Sequence, residues 1–188
     1  MNNDREFLGT QPIGPLLKQL AIPTVTAQLI NMLYNIVDRI YIGHIPNEGA
    51  AALTGLGICE PLIMIVSAFA AFAGSGGAPR SSIAMGRGDW EEAERFLGSC
   101  FALQILFSLL LTVFLLLFGR PLLMMFGASE NTIDYAASYM LIYAMGTSFV
   151  QLTLGMNAYI TAQGFTKVSM KSVMIGAVSI IILDPFFI

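Results

Sequence analysis

The sequence predicts an all-α integral membrane protein that crosses the bilayer five times. Of its 188 residues, 56% are apolar and only 11% are charged, whereas soluble domains carry about 25% charged residues. Such a chain has too few polar side chains to cover a water-soluble surface and too little charge for intrinsic disorder. Five stretches reach the ~20 apolar residues that a span needs. They lie at about residues 20–43, 50–77, 96–118, 133–158 and 172–188.

The features around these stretches justify each element. The first 15 residues form a polar tail that lacks the basic and apolar regions of a signal peptide. We therefore expect a cytoplasmic tail over residues 1–15 and a membrane lobe over residues 16–188. Asp89, with Glu92 three residues later, predicts the N-terminus of the third helix. Gly127 predicts the end of that helical region.

The second stretch ends in a run rich in alanine and glycine, at residues 68–78. Small residues allow helices to approach closely in lipid. The glycines are not followed by the Lys-Ser or Lys-Thr of a phosphate-binding loop. We interpret the run as a helix-packing surface.

Basic residues predict the orientation, because Lys and Arg collect on the cytoplasmic side. The tail, the second-to-third connection and the fourth-to-fifth connection together hold seven of the nine: Arg5, Lys18, Arg80, Arg87, Arg95, Lys167 and Lys171. The first-to-second connection holds none and the third-to-fourth holds only Arg120. We expect a plasma-membrane protein with a cytoplasmic N-terminus. Five spans is an odd number, and the chain is still apolar at Ile188, so we expect an N-terminal piece of a longer protein.

Composition excludes several functions. Two cysteines, Cys59 and Cys100, cannot build a disulfide scaffold or a thiolate zinc site. The single histidine, His44, does not suffice for a histidine-based metal centre. A net charge of −3 does not suit nucleic acid, which needs clustered Lys and Arg. Enzyme motifs such as H-E-x-x-H and G-x-S-x-G are absent from the sequence, so we expect neither an enzyme nor a cofactor.

Polar residues follow one face of the first stretch. They are spaced by three or four residues, at Gln28, Asn31, Asn35 and Asp38. Tyr34 lies one turn before Asp38 on the same side. Unpaired amides and a carboxylate are too expensive in hydrocarbon, so this face lines a wet cavity or a helix interface. In the second case Asp38 would pair with Arg39, although Arg39 points about 100° away around the helix.

Asp184 is the second candidate carboxylate. Pro185 follows it and leaves the carbonyl of Ile181 without its helical donor. Oxygen atoms of this kind suit a hard cation such as Na⁺, and a proton is equally suitable because burial favours a neutral carboxyl. The alternative is a proline-kinked helix with a hydrogen-bonded aspartate.

Three further polar residues fall inside the predicted spans. Asn157 offers an amide oxygen as a third contributor or serves as a packing amide, and Thr153 shares its face. Glu60, beside Pro61, either adds charge to a cavity or is held by a hydroxyl. Charges at membrane depth are functional hypotheses by default.

Five segments in order resemble the multidrug and toxic compound extrusion (MATE) transporters. They are LKQLAIPTVTAQLINMLYNIVDRIYIG at 17–43, GGAPRSSIAMGRGDWEEAERFLG at 76–98, FGASENTIDYAASYM at 126–140, NAYITAQGFTK at 157–167 and ILDPFFI at 182–188. The resemblance covers nearly the whole chain. It implies twelve helices in two lobes, of which this chain would be five of the six N-terminal ones.

The resemblance also implies a function. Such transporters export organic, often cationic, drugs in exchange for Na⁺ or H⁺, and their N-lobe cation site would fall on Asp38, Tyr34, Asn157 and Asp184. This sequence has Ile180 where that site has an asparagine, which favours protons over Na⁺. The expected partners are membrane lipids, small organic substrates and the missing C-terminal lobe.

Two alternatives stay open. A flippase for lipid-linked precursors would line its cavity with several basic residues, but here only Arg39 lies inside a span. A non-transporting, truncated scaffold is the other.

Overall fold

The computed structural model describes the backbone of residues 11–187 and the side chains of residues 11–182. Every regular element in that range is an α-helix. The five helices are α1 (Ile13–Gly43), α2 (Gly49–Gly86), α3 (Trp90–Met125), α4 (Ile133–Ala162) and α5 (Thr166–Phe187). The predicted all-α fold with five helices is therefore confirmed.

Three of these helices are long and apolar enough to cross a membrane: α1, α2 and α3. In α4 the apolar residues are interrupted by Thr147, Gln151 and Asn157, and α5 is the shortest helix, with 22 residues. Crossing by α4 and α5 rests on the sequence argument and stays a prediction.

The helices extend beyond the predicted spans. α1 begins at Ile13, inside the predicted polar tail, and α5 begins at Thr166 rather than near residue 172. α2 continues to Gly86 and α3 begins at Trp90. Asp89 caps α3 as predicted, because its carboxylate accepts a 2.9 Å hydrogen bond from the Glu92 backbone N–H. Gly88 takes a φ of +79°, a conformation that favours glycine, and so permits the tight turn between the helices.

The chain divides into two compact units. One contains residues 42–158 and so includes α2, α3 and most of α4. The other contains α1 up to Tyr41 together with residues from Tyr159 onwards.

The core of the 42–158 unit consists of apolar side chains from its three helices. Phe69 packs edge-on against Phe107, with ring centroids 5.0 Å apart. The fully buried large residues include Val66 on α2, Leu123 on α3 and Met140 on α4. In lipid, van der Waals packing rather than water exclusion holds such helices together.

Glycines bring the backbones of α2 and α4 together. A Cβ built on Gly74 would lie 2.8 Å from the carbonyl oxygen of Gly155 and 2.9 Å from its Cα. Real Cβ atoms essentially never approach backbone so closely. At Gly74 the small-residue run of α2 thus serves packing, as predicted, and the partner there is Gly155.

Candidate functional site

The predicted polar face lies on one continuous helix, α1. Tyr34 and Asp38 are half-buried, whereas Gln28, Asn31 and Asn35 are exposed. The Asn35 amide donates a 2.7 Å hydrogen bond to the Asn31 carbonyl, one turn earlier. α1 therefore presents these side chains on one face, at the spacing that the sequence indicates.

Asp184 lies within α5, eighteen residues after Thr166, where the helix begins. Its side chain is outside the described residues, as are those of its neighbours from position 183 onwards. At 1.5 Å per residue, Asp184 stands about 27 Å along its helix. Ile180, at the position of the expected asparagine, is exposed.

Asn157, on α4, carries a buried amide oxygen. Its Oδ1 has no hydrogen-bond partner among the described residues. Buried polar atoms nearly always have a partner in protein or ordered water, so each exception requires an explanation. An oxygen in this state is suited to accept a hydrogen bond or to bind a cation. Thr153, one turn earlier, is exposed.

Glu60 is half-buried on α2, next to Cys59. Cys59 is fully buried and directs its thiol towards the Ala136 carbonyl at 3.4 Å, as expected for a small packing residue. Among the described side chains, no three His, Cys, Asp or Glu residues come together in a metal-binding group.

Two buried glutamines were not singled out by sequence reasoning. Gln104 on α3 and Gln151 on α4 are both 0% exposed. Their amide nitrogens donate to carbonyls of α2, at Ala70 (3.1 Å) and Val66 (2.8 Å) respectively. In the sequence, each glutamine is marked only by being a single amide within an apolar run. That feature does not reveal its hydrogen-bond partner on another helix.

The family model MatE matches residues 23–186. The chain belongs to the MatE family. The resemblance seen in the sequence is therefore confirmed, and the chain is a membrane protein of a transporter family.

Two curated relatives match over nearly the whole chain. One is named FAD transporter, from Shewanella oneidensis, and is 24% identical over 98% of this chain. The other is named multidrug export protein MepA, from Staphylococcus haemolyticus, and is 25% identical over 92%. This chain covers 40% and 38% of their respective lengths.

Solved structures share the fold. A crystal structure of MATE in complex with MaD3S matches with a TM-score of 0.85 at 23% identity, and the match covers 92% of this chain and 38% of the other. A crystal structure of a MATE point mutant matches with a TM-score of 0.90 at 21% identity, over 100% of this chain and 42% of the other. The five helices thus correspond to about two fifths of a MATE fold, in agreement with an N-terminal lobe.

Proposed function

We propose that this chain belongs to a secondary antiporter that exports organic, often cationic, compounds across the plasma membrane in exchange for H⁺ or Na⁺. The observation that carries the proposal is the family match over residues 23–186. Alternating access would arise from rocking of two lobes, and the ion must bind the two arrangements with different affinity. The substrate cavity would face the second lobe.

Asp38 and Asp184 would take up the coupling ion. Both are carboxylates inside predicted spans, and Asp38 lies on the polar face of α1. Tyr34, one turn before Asp38, would orient that carboxylate through a hydrogen bond. The exposed amides of the same face would line the water-filled approach.

Asn157 would act at a different level of the path. It lies five residues, about 8 Å, before the end of α4. In the proposed topology that end faces the cytoplasm, so its unpartnered oxygen would receive the ion on the inner side. Thr153, on the same face, lies one turn deeper.

The proposed substrate class rests on charge. A dinucleotide such as FAD carries two phosphates, which proteins commonly bind with Arg or Lys, whereas Arg39 is the one basic residue within the predicted spans. This favours cationic or neutral compounds. FAD export is the second candidate, because one relative carries the name FAD transporter.

Export from pump-deficient cells tests the function and the role of Asn157. We expect the full-length protein to lower the accumulation of a fluorescent organic cation. Asn157→Ala should reduce that export at least about fivefold, which corresponds to the low end, about 1 kcal/mol, of the usual coupling free energy between two binding sites. Asn131→Ala, the same change at an exposed loop position, should leave export intact. Release of FAD without cation export would instead favour the second candidate, and equal loss in both variants would contradict the role of Asn157.

Cysteine labelling tests the orientation. In a background in which Cys59, Cys100 and every cysteine outside residues 1–188 are replaced by alanine, we expect Glu130→Cys to react with an impermeant maleimide in intact cells. Arg87→Cys, on the opposite connection, should react only after permeabilisation. We expect this labelling pattern because Lys and Arg are in excess on the cytoplasmic side. The connection between α3 and α4, on the other side, holds only Arg120, which pairs with Asp134 at 3.1 Å. The reverse labelling pattern would invert the topology.

A further inference from the structure

The buried glutamines lie at the same height of the 42–158 unit. The α2 carbonyls that accept their amide protons belong to Val66 and Ala70, one helical turn apart. At 1.5 Å rise per residue, these two anchors are about 6 Å apart along the helix. All four residues lie well inside their helices, away from either end.

The register between α3 and α4 places the two side chains next to each other. The Thr112 hydroxyl donates to the Ala144 carbonyl at 3.1 Å, and the Ser148 hydroxyl donates to Ser108 at 3.2 Å. Four residues backward along α3 thus correspond to four residues forward along α4, as antiparallel helices require. One more turn brings Gln104 opposite position 152.

A close contact supports this register. A Cβ built on Gly155 would lie 1.6 Å from Nε2 of Gln104 and 2.7 Å from its Oε1. The Gln104 amide therefore rests on Gly155, which lies one turn after Gln151 on the same face of α4. The two amides are thus anchored about one helical turn apart, at the level where α2, α3 and α4 come together.

Each of these amides has an oxygen to satisfy. The Oε1 atoms of Gln104 and Gln151 are both buried and have no hydrogen-bond partner among the described residues. Because only an amide nitrogen can donate to the α2 carbonyls, these bonds distinguish the nitrogen from the oxygen in each side-chain amide. Each of these acceptors requires a donor, and with their amides anchored about 6 Å apart one small donor can serve both.

We propose that Gln104 and Gln151 form a binding site for one internal water molecule, which donates its two hydrogens to the two amide oxygens. The described polar groups at this level are two uncharged amides and the α2 carbonyls that they bind, and a buried water needs only about two to four polar partners. A Ca²⁺ ion would take about 6–8 oxygen ligands, more than the two amide oxygens that lack a partner here. The water joins α3 to α4 at the level where both glutamines bind α2, and so ties the three helices at mid-height.

A double-mutant cycle tests the shared water. Gln104→Met and Gln151→Met keep side-chain volume while removing the amide, and each should lower the Tm of the full-length protein in detergent by about 2–4 °C. Each single variant also leaves the other oxygen without its donor. The double variant should therefore lose clearly less than the sum of the two. Additive losses would overturn the proposal.

A distant pair serves as the control for additivity. Thr54 is exposed and bonds to the carbonyl of its own preceding turn, about 24 Å along α2 from Ala70. Thr54→Val combined with Gln104→Met should be additive.

A high-resolution structure of the unmodified protein tests for the shared water directly, and this test does not depend on whether the variants fold. We expect a density peak within hydrogen-bond distance of both Oε1 atoms, unchanged when crystals are grown in RbCl. An anomalous rubidium peak at the same point, or direct contact of the amides with no peak, would overturn the water assignment.

Discussion

Replacing Gly74 by alanine is expected to destabilise the protein by about 2–3 kcal/mol, the upper part of the range for overpacked cores. The added Cβ would meet the backbone of Gly155 at 2.8–2.9 Å. Backbone atoms cannot rotate away as a side chain does, so α2 and α4 must separate. That separation also stretches the hydrogen bond from Gln151 on α4 to the Val66 carbonyl on α2.

Gly76→Ala is the matched control, two residues further along the same helix. A Cβ at Gly76 meets nothing within 4 Å, and alanine is favoured over glycine in a helix by up to about 1 kcal/mol. The two identical substitutions should therefore shift Tm in opposite directions. An equal effect of both would show that the α2–α4 crossing is looser than described.

This pair also shows what the sequence could establish about packing. The run at 68–78 predicts a close helix contact because small residues have few other uses in lipid. It does not distinguish Gly74, which touches Gly155, from Gly76, which touches nothing. That difference depends on how α2 is rotated against α4, and rotation is set by contacts distant in sequence.

The glutamines illustrate the same limit for polar groups. The face of α1 was predictable because its amides repeat at helical spacing within one segment. Gln104 and Gln151 each stand alone in an apolar run, and their partners are carbonyls of α2. A carbonyl is present at every residue, so no side-chain pattern marks the one that will accept.

Helix ends were predictable where local chemistry fixes them. The Asp89 cap acts through a backbone N–H only three residues away. The predicted end of α2 near residue 77 is wrong, because the apolar span stops there while the helix continues to Gly86. A span is limited by hydrocarbon thickness, whereas a helix can continue into the interface.

Exchanging both candidate carboxylates, by Asp38→Asn together with Asp184→Asn, is expected to abolish ion-coupled export. Asparagine keeps the size of aspartate and remains a hydrogen-bonding side chain, but it neither takes up a proton nor offers a negative charge. Without a group whose ion affinity differs between two arrangements, an ion gradient cannot bias the transporter. Export of an organic cation should fall at least about fivefold and should no longer respond to collapse of the H⁺ or Na⁺ gradient.

Asp134→Asn provides the control for this change, because Asp134 is an exposed carboxylate paired with Arg120. An exposed pair contributes about 0–1 kcal/mol, so both abundance and export should stay near normal. Collapsing each gradient separately in the unmodified protein identifies the coupling ion, and Ile180 in place of an amide leads us to expect H⁺. Full gradient-dependent export by the double variant would refute the carboxylate mechanism, and it would leave the family assignment and the proposed water site untouched, because neither depends on Asp38 or Asp184.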